Sequence, residues 1–182
     1  IGGGISISAH LKGKMVDGND IVGGEGPMAP TRCGSVPAIE VVKYAAEHGL
    51  DVTRAHCMKT GGFVDLLGTS DGVEVCERAA AGDAAAARAW DAMVYQICKW
   101  IGEMACVLKG EVDGILLGGG MVHSKELVAA IEDACSWIAP VSAYPGEFEL
   151  EAMAAGACRV LDGAEEALTY SGEPVFTGFN ER

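Results

Sequence analysis

Apolar positions along this chain follow two different periods, and turn residues separate them. Within residues 1–8 Ile5 and Ile7 alternate with serines behind three glycines, which predicts a strand at Ile5 and Ile7. Short alternating runs on either side of Lys12-Gly13-Lys14 predict a hairpin over 10–17. Residues 18–37 carry glycine and proline without a period and predict a long ordered loop, a kind that is often functional. A helix is expected over 38–48, stopped by Gly49, and a second over 72–81. Asp83 is placed to cap a long helix reaching about residue 109. Its stripe of Trp90, Met93, Val94, Ile97, Ile101, Met104, Ala105 and Leu108 has the spacing of one core-facing helical surface. Beyond it come a buried strand over 112–117, a helix from Ser124 to about 137, a short strand over 140–144 and a helix over 147–161. Strand, hairpin, helical stretch, strand, helix, strand, helix is α/β organisation. Residues 169–182 show no period and read as a tail or crossing segment.

Charge narrows the partners. The 182 residues hold 26 acidic and 13 basic side chains, a formal net charge of -13. Such a chain repels nucleic acid and anionic membrane. A phosphate ligand is still admissible, because backbone N–H groups and a few placed cations hold phosphates against an unfavourable overall field. No run of eighteen apolar residues is present to span a membrane. The seven cysteines lack CxxC spacing, and several fall in helix-like segments. Neither a disulfide framework nor a zinc site is expected, and a reducing cytoplasm is the natural compartment. His10 and His123 read as turn or surface histidines.

The chemistry concentrates in two glycine clusters. Gly2-Gly3-Gly4 precedes the first expected strand residues, and Gly118-Gly119-Gly120 ends a buried strand ahead of a capped helix. Glycine lets backbone approach a phosphate or a planar base with no side chain between. Neither cluster has the P-loop pattern or good GxGxxG spacing, so each alone reads more readily as a tight turn than as a ligand site.

Taken together, and in this order, they resemble the phosphate hairpin and adenosine turn of the sugar kinase, heat-shock protein and actin superfamily. Four segments narrow the resemblance to the butyrate kinases of the acetate kinase family. They are Gly2-Gly3-Gly4-Ile5-Ser6; the stretch 17–37 with Gly24-Glu25-Gly26-Pro27, Pro30, Arg32, Gly34 and Pro37; Gly61-Gly62 with Leu67-Gly68-Thr69-Ser70-Asp71; and Tyr144-Pro145-Gly146-Glu147-Phe148-Glu149. They cover nearly the whole chain.

The resemblance implies a ribonuclease H-like α/β domain of the acetate and sugar kinase/actin superfamily. It would occupy 1–168, with a mostly helical insertion over about 38–110. It implies ATP/ADP and Mg²⁺, and reversible phosphoryl transfer to a short-chain fatty acid such as butyrate. Arg32 would contact the transferring group, and an arginine fork suits the charge on its oxygens. Gly2, Gly3, Gly4, Asp71, Gly118, Gly119 and Gly120 would face nucleotide. Glu147 or Glu149 would orient Mg²⁺, directly or through water. Val73 stands where the family usually has an arginine, so one nucleotide contact is in doubt. The family has two such domains, and the first carries the catalytic aspartate. This chain is therefore expected to be the C-terminal half, inactive by itself, with association into a homodimer or higher homo-oligomer through the helix over 83–109. Acetate or branched-chain fatty acid kinase, and a non-catalytic nucleotide-binding or assembly domain, stay open as alternatives.

Overall fold

A computed structural model of the protein describes residues 1–173. The end of the expected tail, 174–182, lies outside them.

Two antiparallel strands open the fold, β1 (Ser8–Leu11) and β2 (Lys14–Gly18). They turn at Lys12 and Gly13, whose φ angles are 51° and 78°. The expected strand at Ile5 and Ile7 begins later than its alternation suggests. A side chain occupies that backbone in place of a neighbouring strand: the Ile7 amide donates to Asn19 Oδ1 at 2.6 Å, and Asn19 Nδ2 donates to Ile5 O at 3.3 Å. Ile5 is still buried, and the in-out alternation runs on to Ala9.

Residues 19–37 contain neither helix nor extended strand, only a bridge between Ala29 and Arg32. Five helices follow: α1 (Ala38–His48), α2 (Leu50–Met58), α3 (Phe63–Leu67), α4 (Gly72–Ala80) and α5 (Ala84–Val107). Asp71 caps α4 through the amides of Val73 and Glu74, and Asp83 caps α5 through those of Ala85 and Ala86. Along α5 the residues Ala86, Ala89, Met93, Ile97, Ile101 and Met104 are buried, which is the expected stripe shifted slightly around the helix. Met93 and Ile97 form the centre of one core with Phe63 and Val75 from the helices and Ile115, Leu117, Leu127 and Ile131 from the last third of the chain.

That last third is a βαβα unit: β3 (Ile115–Gly119), α6 (Lys125–Cys135), β4 (Val141–Pro145) and α7 (Glu149–Leu161). The strands pair in parallel with Ile115 opposite Val141 and Gly119 opposite Pro145. A single 3-10 turn at 120–123 connects β3 to α6, and Ser124 Oγ caps α6 through the Leu127 amide. Parallel pairing with a helical crossover delivers the ends of both strands to the same edge, where open α/β sheets bind ligands.

Candidate functional site

Three backbone segments meet at the C-terminal edge of β3. Gly119 lies at the centre with φ 106°, a conformation that favours glycine. On one side its amide donates to Gly146 O at 3.0 Å and its carbonyl accepts from the Gly146 amide at 3.3 Å. On the other side the Ile1 nitrogen donates to Gly118 O at 2.5 Å, and the Met121 amide donates to Ile1 O at 3.1 Å. A Cβ on Gly119 would run into the Ile1 backbone. Ile1 just ahead of the first glycine cluster, the second cluster, and the turn ahead of α7 are thus bound edge to edge.

Arg32 joins this edge through Gly4. A Cβ on Gly4 would strike the Arg32 guanidinium, so the planar group packs directly on that Cα. Beside it Gly3 O accepts from both the Thr31 amide at 3.2 Å and Thr31 Oγ1 at 2.9 Å. Arg32 Nε and Nη1 are buried with no hydrogen-bond partner. Buried donors of a charged group are rarely left unpaired, and such exceptions call for an explanation, an absent anion among them.

The backbone under Arg32 is held from below. Arg32 and Ala29 exchange amide bonds at 3.1 and 3.3 Å, and the Gly61 amide donates to Thr31 O at 3.2 Å. Cβ atoms on Gly61 and Gly62 would overlap Cys33 N and Ala29 O. This is why two glycines stand there: any side chain would push the arginine loop off the helices. Asn19 does a related task at the other end, since its Nδ2 also donates to Glu25 O at 3.0 Å and so ties the loop to the first cluster.

The remaining expected residues divide. Asp71 spends its carboxylate on the start of α4, and Gly72 beside it packs on the Met121 side chain, 2.8 Å from a built Cβ to Cε. It therefore borders the second cluster through its neighbour. Glu147 follows Gly146 directly and is exposed. Glu149 opens α7. Among the described residues no three His, Cys, Asp or Glu side chains gather as a metal cage. Mg²⁺ asks for less, commonly one or two carboxylates with waters and phosphate oxygens, so Glu147 and Glu149 fit it as partial ligands. Gly3, Gly118 and Gly120 have nothing within 4 Å of where a Cβ would stand, which leaves their faces open.

A profile of the acetokinase family matches residues 1–138. The chain belongs to the acetokinase family. It is 48% identical over 172 residues to a probable butyrate kinase of Coprothermobacter proteolyticus, covering 93% of this chain and 48% of that protein. A probable butyrate kinase of Enterococcus faecalis is 43% identical over 173 residues, covering 94% of this chain and 48% of that protein. The chain spans about half the length of the curated relatives it matches. Among solved structures, an acetate kinase from Entamoeba histolytica superposes with a TM-score of 0.74 at 18% identity, over 85% of this chain and 49% of that one. A propionate kinase from Francisella tularensis superposes at 0.66 with 21% identity, over 76% of this chain and 37% of that one. Both share their fold with this chain over those stretches.

Family membership makes sense of the order of the glycine segments, but sequence reading missed parts of the frame. Asn19 sits in Asp17-Gly18-Asn19-Asp20, which reads as a plain turn. Its bridging role depends on Ile5, Ile7 and Glu25 arriving around it, and no local pattern announces that. Thr31 Oγ1 likewise reaches Gly3 O, 28 residues away, which no local pattern announces.

Proposed function

We propose that this chain forms the nucleotide-facing half of a carboxylate kinase that transfers the γ-phosphoryl group of ATP to a short-chain fatty acid, with butyrate as the preferred reading. The observation that carries it is the Arg32 guanidinium, packed on Gly4 with Nε and Nη1 buried and unpaired. That arrangement suits an anion held at the edge of the first cluster, where a transferring phosphoryl group gathers charge.

In this reading the open faces of Gly118 and Gly120 receive the nucleoside, and Gly2, Gly3 and Gly4 lie along the phosphates. A carboxylate oxygen of the fatty acid attacks the γ-phosphorus. The new O–P bond forms as the bond to the β-phosphate oxygen breaks, giving acyl phosphate and ADP. The carboxylate is ionised at neutral pH, so no proton has to be removed from it. Arg32 donates to the equatorial oxygens of the transferring group as their charge grows. Glu147 or Glu149 would hold Mg²⁺, directly or through water, and the ion would supply positive charge against the phosphates. Asp71 keeps the start of α4 beside the nucleoside. The other half of the relatives' length would supply the facing domain, and the complete cleft would need both. A non-catalytic nucleotide-binding role is the second reading. Its support is Val73, an exposed valine where the resemblance expects a cation.

The test is calorimetric titration of Mg-ADP with a turnover assay on the complete polypeptide carrying this chain. Arg32→Ala is expected to leave ADP affinity within a few fold and to lower kcat by about 10²–10³, the usual cost of losing one charge-stabilising donor. Turnover unchanged by Arg32→Ala would overturn the catalytic reading, and ADP binding without any turnover of the wild type would favour the second. A panel of acetate, propionate, butyrate and branched acids assigns the chain length.

A further inference from the structure

The loop that presents Arg32 meets the helices along one short stretch, 56–64. Cys33 N donates to His56 O at 3.3 Å, Gly61 N to Thr31 O at 3.2 Å, and Val64 N to Pro30 O at 3.0 Å. Pro30, Thr31 and Cys33, on both sides of Arg32, are therefore registered against the end of α2, the glycine turn and the start of α3. The backbones touch there, because a Cβ on Gly61 would also overlap His56 O.

One side-chain link closes this stretch on itself. His56 Nε2 lies 3.1 Å from Asp65 Oδ1 and joins the last turn of α2 to α3 across the glycine turn. Two further groups lie around the imidazole. Nδ1 lies 3.2 Å from Val52 O, and the Tyr44 hydroxyl lies 3.4 Å from Nε2 with the two ring centroids 5.2 Å apart. His56 is 26% exposed and Asp65 52%. A pair this open adds little to global stability. Its consequence is local: it sets the span between His56 O and Val64 N, the outer two anchors of the arginine loop.

We propose that the His56–Asp65 pair is a positioning device for Arg32. It fixes the turn at Gly61-Gly62, and through that turn the place of the guanidinium over Gly4. The pair acts through the backbone and touches no reacting atom. The proposal rests on the reading of Arg32 as the cation of phosphoryl transfer. Misplacement of a catalytic group by a fraction of an ångström is costly even when its cause is remote.

The test uses the complete polypeptide carrying this chain. Asp65→Ala is expected to lower kcat about tenfold with the nucleotide KM changed less than about twofold, and Asp65→Glu to recover part of the loss. In an Arg32→Lys background the same Asp65→Ala step should cost less than about twofold, because residues acting through one group are not additive. Amide hydrogen exchange gives a readout independent of turnover: at Cys33 and Gly61 it should accelerate about tenfold in Asp65→Ala, with the amides of α5 unchanged. An undiminished loss on Arg32→Lys, or unchanged exchange at both amides, overturns the proposal. If Arg32→Lys and Arg32→Ala both turn over like the wild type, the functional reading of Arg32 fails instead, and the positioning role falls with it.

Discussion

Three adjacent glycines are chemically identical in a sequence, and only their backbone angles and neighbours separate them. In Gly118-Gly119-Gly120 the middle residue is structural: φ is 106°, and a Cβ would meet Ile1. The outer two lack that constraint, with open space where a side chain would stand. This separation gives a test of ligand against turn. Gly119→Ala should destabilise the fold by about 1–3 kcal/mol, the cost of forcing an L-residue into left-handed backbone, read as a lower urea midpoint. Gly118→Ala should leave that midpoint unchanged and weaken ADP binding, because the added methyl would meet only the nucleoside. Equal ADP affinity in Gly118→Ala and wild type would remove the nucleoside from this face. Arg32 shows the same limit of sequence. Its Gly/Pro surroundings pointed to a built loop, but the stacking on Gly4 brings together residues 28 positions apart, and no pattern in either segment specifies it.

Helices were legible from local signals that differ from one to the next. The helices α5 and α6 have a capping side chain and a buried stripe, α4 has the Asp71 cap with Val75 alone buried, and α1 and α7 are expected from their flanking turn residues although neither has a side-chain cap bond or a buried residue. The helices at α2 and α3 were not foreseen, for different reasons. Along α2 only Thr53 is buried, so there is no apolar stripe to read. The helix α3 has five residues between Gly62 and Gly68 and buries Phe63 alone, too short for a 3.6-residue period to show. Yet these two helices carry the turn beneath Arg32, so the site's support was the less legible part. The cap of α5 can be tested directly. Asp83 accepts from the amides of Ala85 and Ala86 and from Arg78 Nη2 at 2.9 Å. Donation by the Ala86 amide, then by Arg78, holds its carboxyl below the usual range. A depressed folded pKa contributes stability above the unfolded value of about 3.9, and that stability is lost as pH falls through the lower folded value. Asp83→Ala should therefore lower the thermal midpoint by a few degrees at neutral pH, and the gap to wild type should close as the solution is made acid. A gap of constant size on acidification would assign the loss to something other than the charged cap.

At the scale of the whole molecule, the proposed reading makes the described chain one wall of a site. Its core is continuous from Ile5 to Ala139, yet the sheet edge that gathers the glycine segments is open. Leu116 and Tyr144 on the paired strands are 71% and 55% exposed, and α7 has no buried residue. Parallel strands are normally covered on both faces, and a phosphoryl transfer site needs charge-stabilising and positioning groups around the whole of the transferring group. One arginine with two unpaired nitrogens answers part of that need. The resemblance carries the same expectation, because it assigns the catalytic aspartate to a first domain outside these residues. The chain's coverage of about half of its curated relatives agrees with that division. The expected outcome is sharp. With butyrate, MgATP and hydroxylamine to trap acyl phosphate as hydroxamate, this chain alone should form no product above background, and the complete polypeptide should turn over at a rate ordinary for kinases, about 1–100 per second. Mg-ADP should still bind the chain alone, since the open glycine faces lie within it. Product formation by the isolated chain at a comparable rate would mean that Arg32 and the glycine edge suffice, and the division of labour between two halves would have to be abandoned.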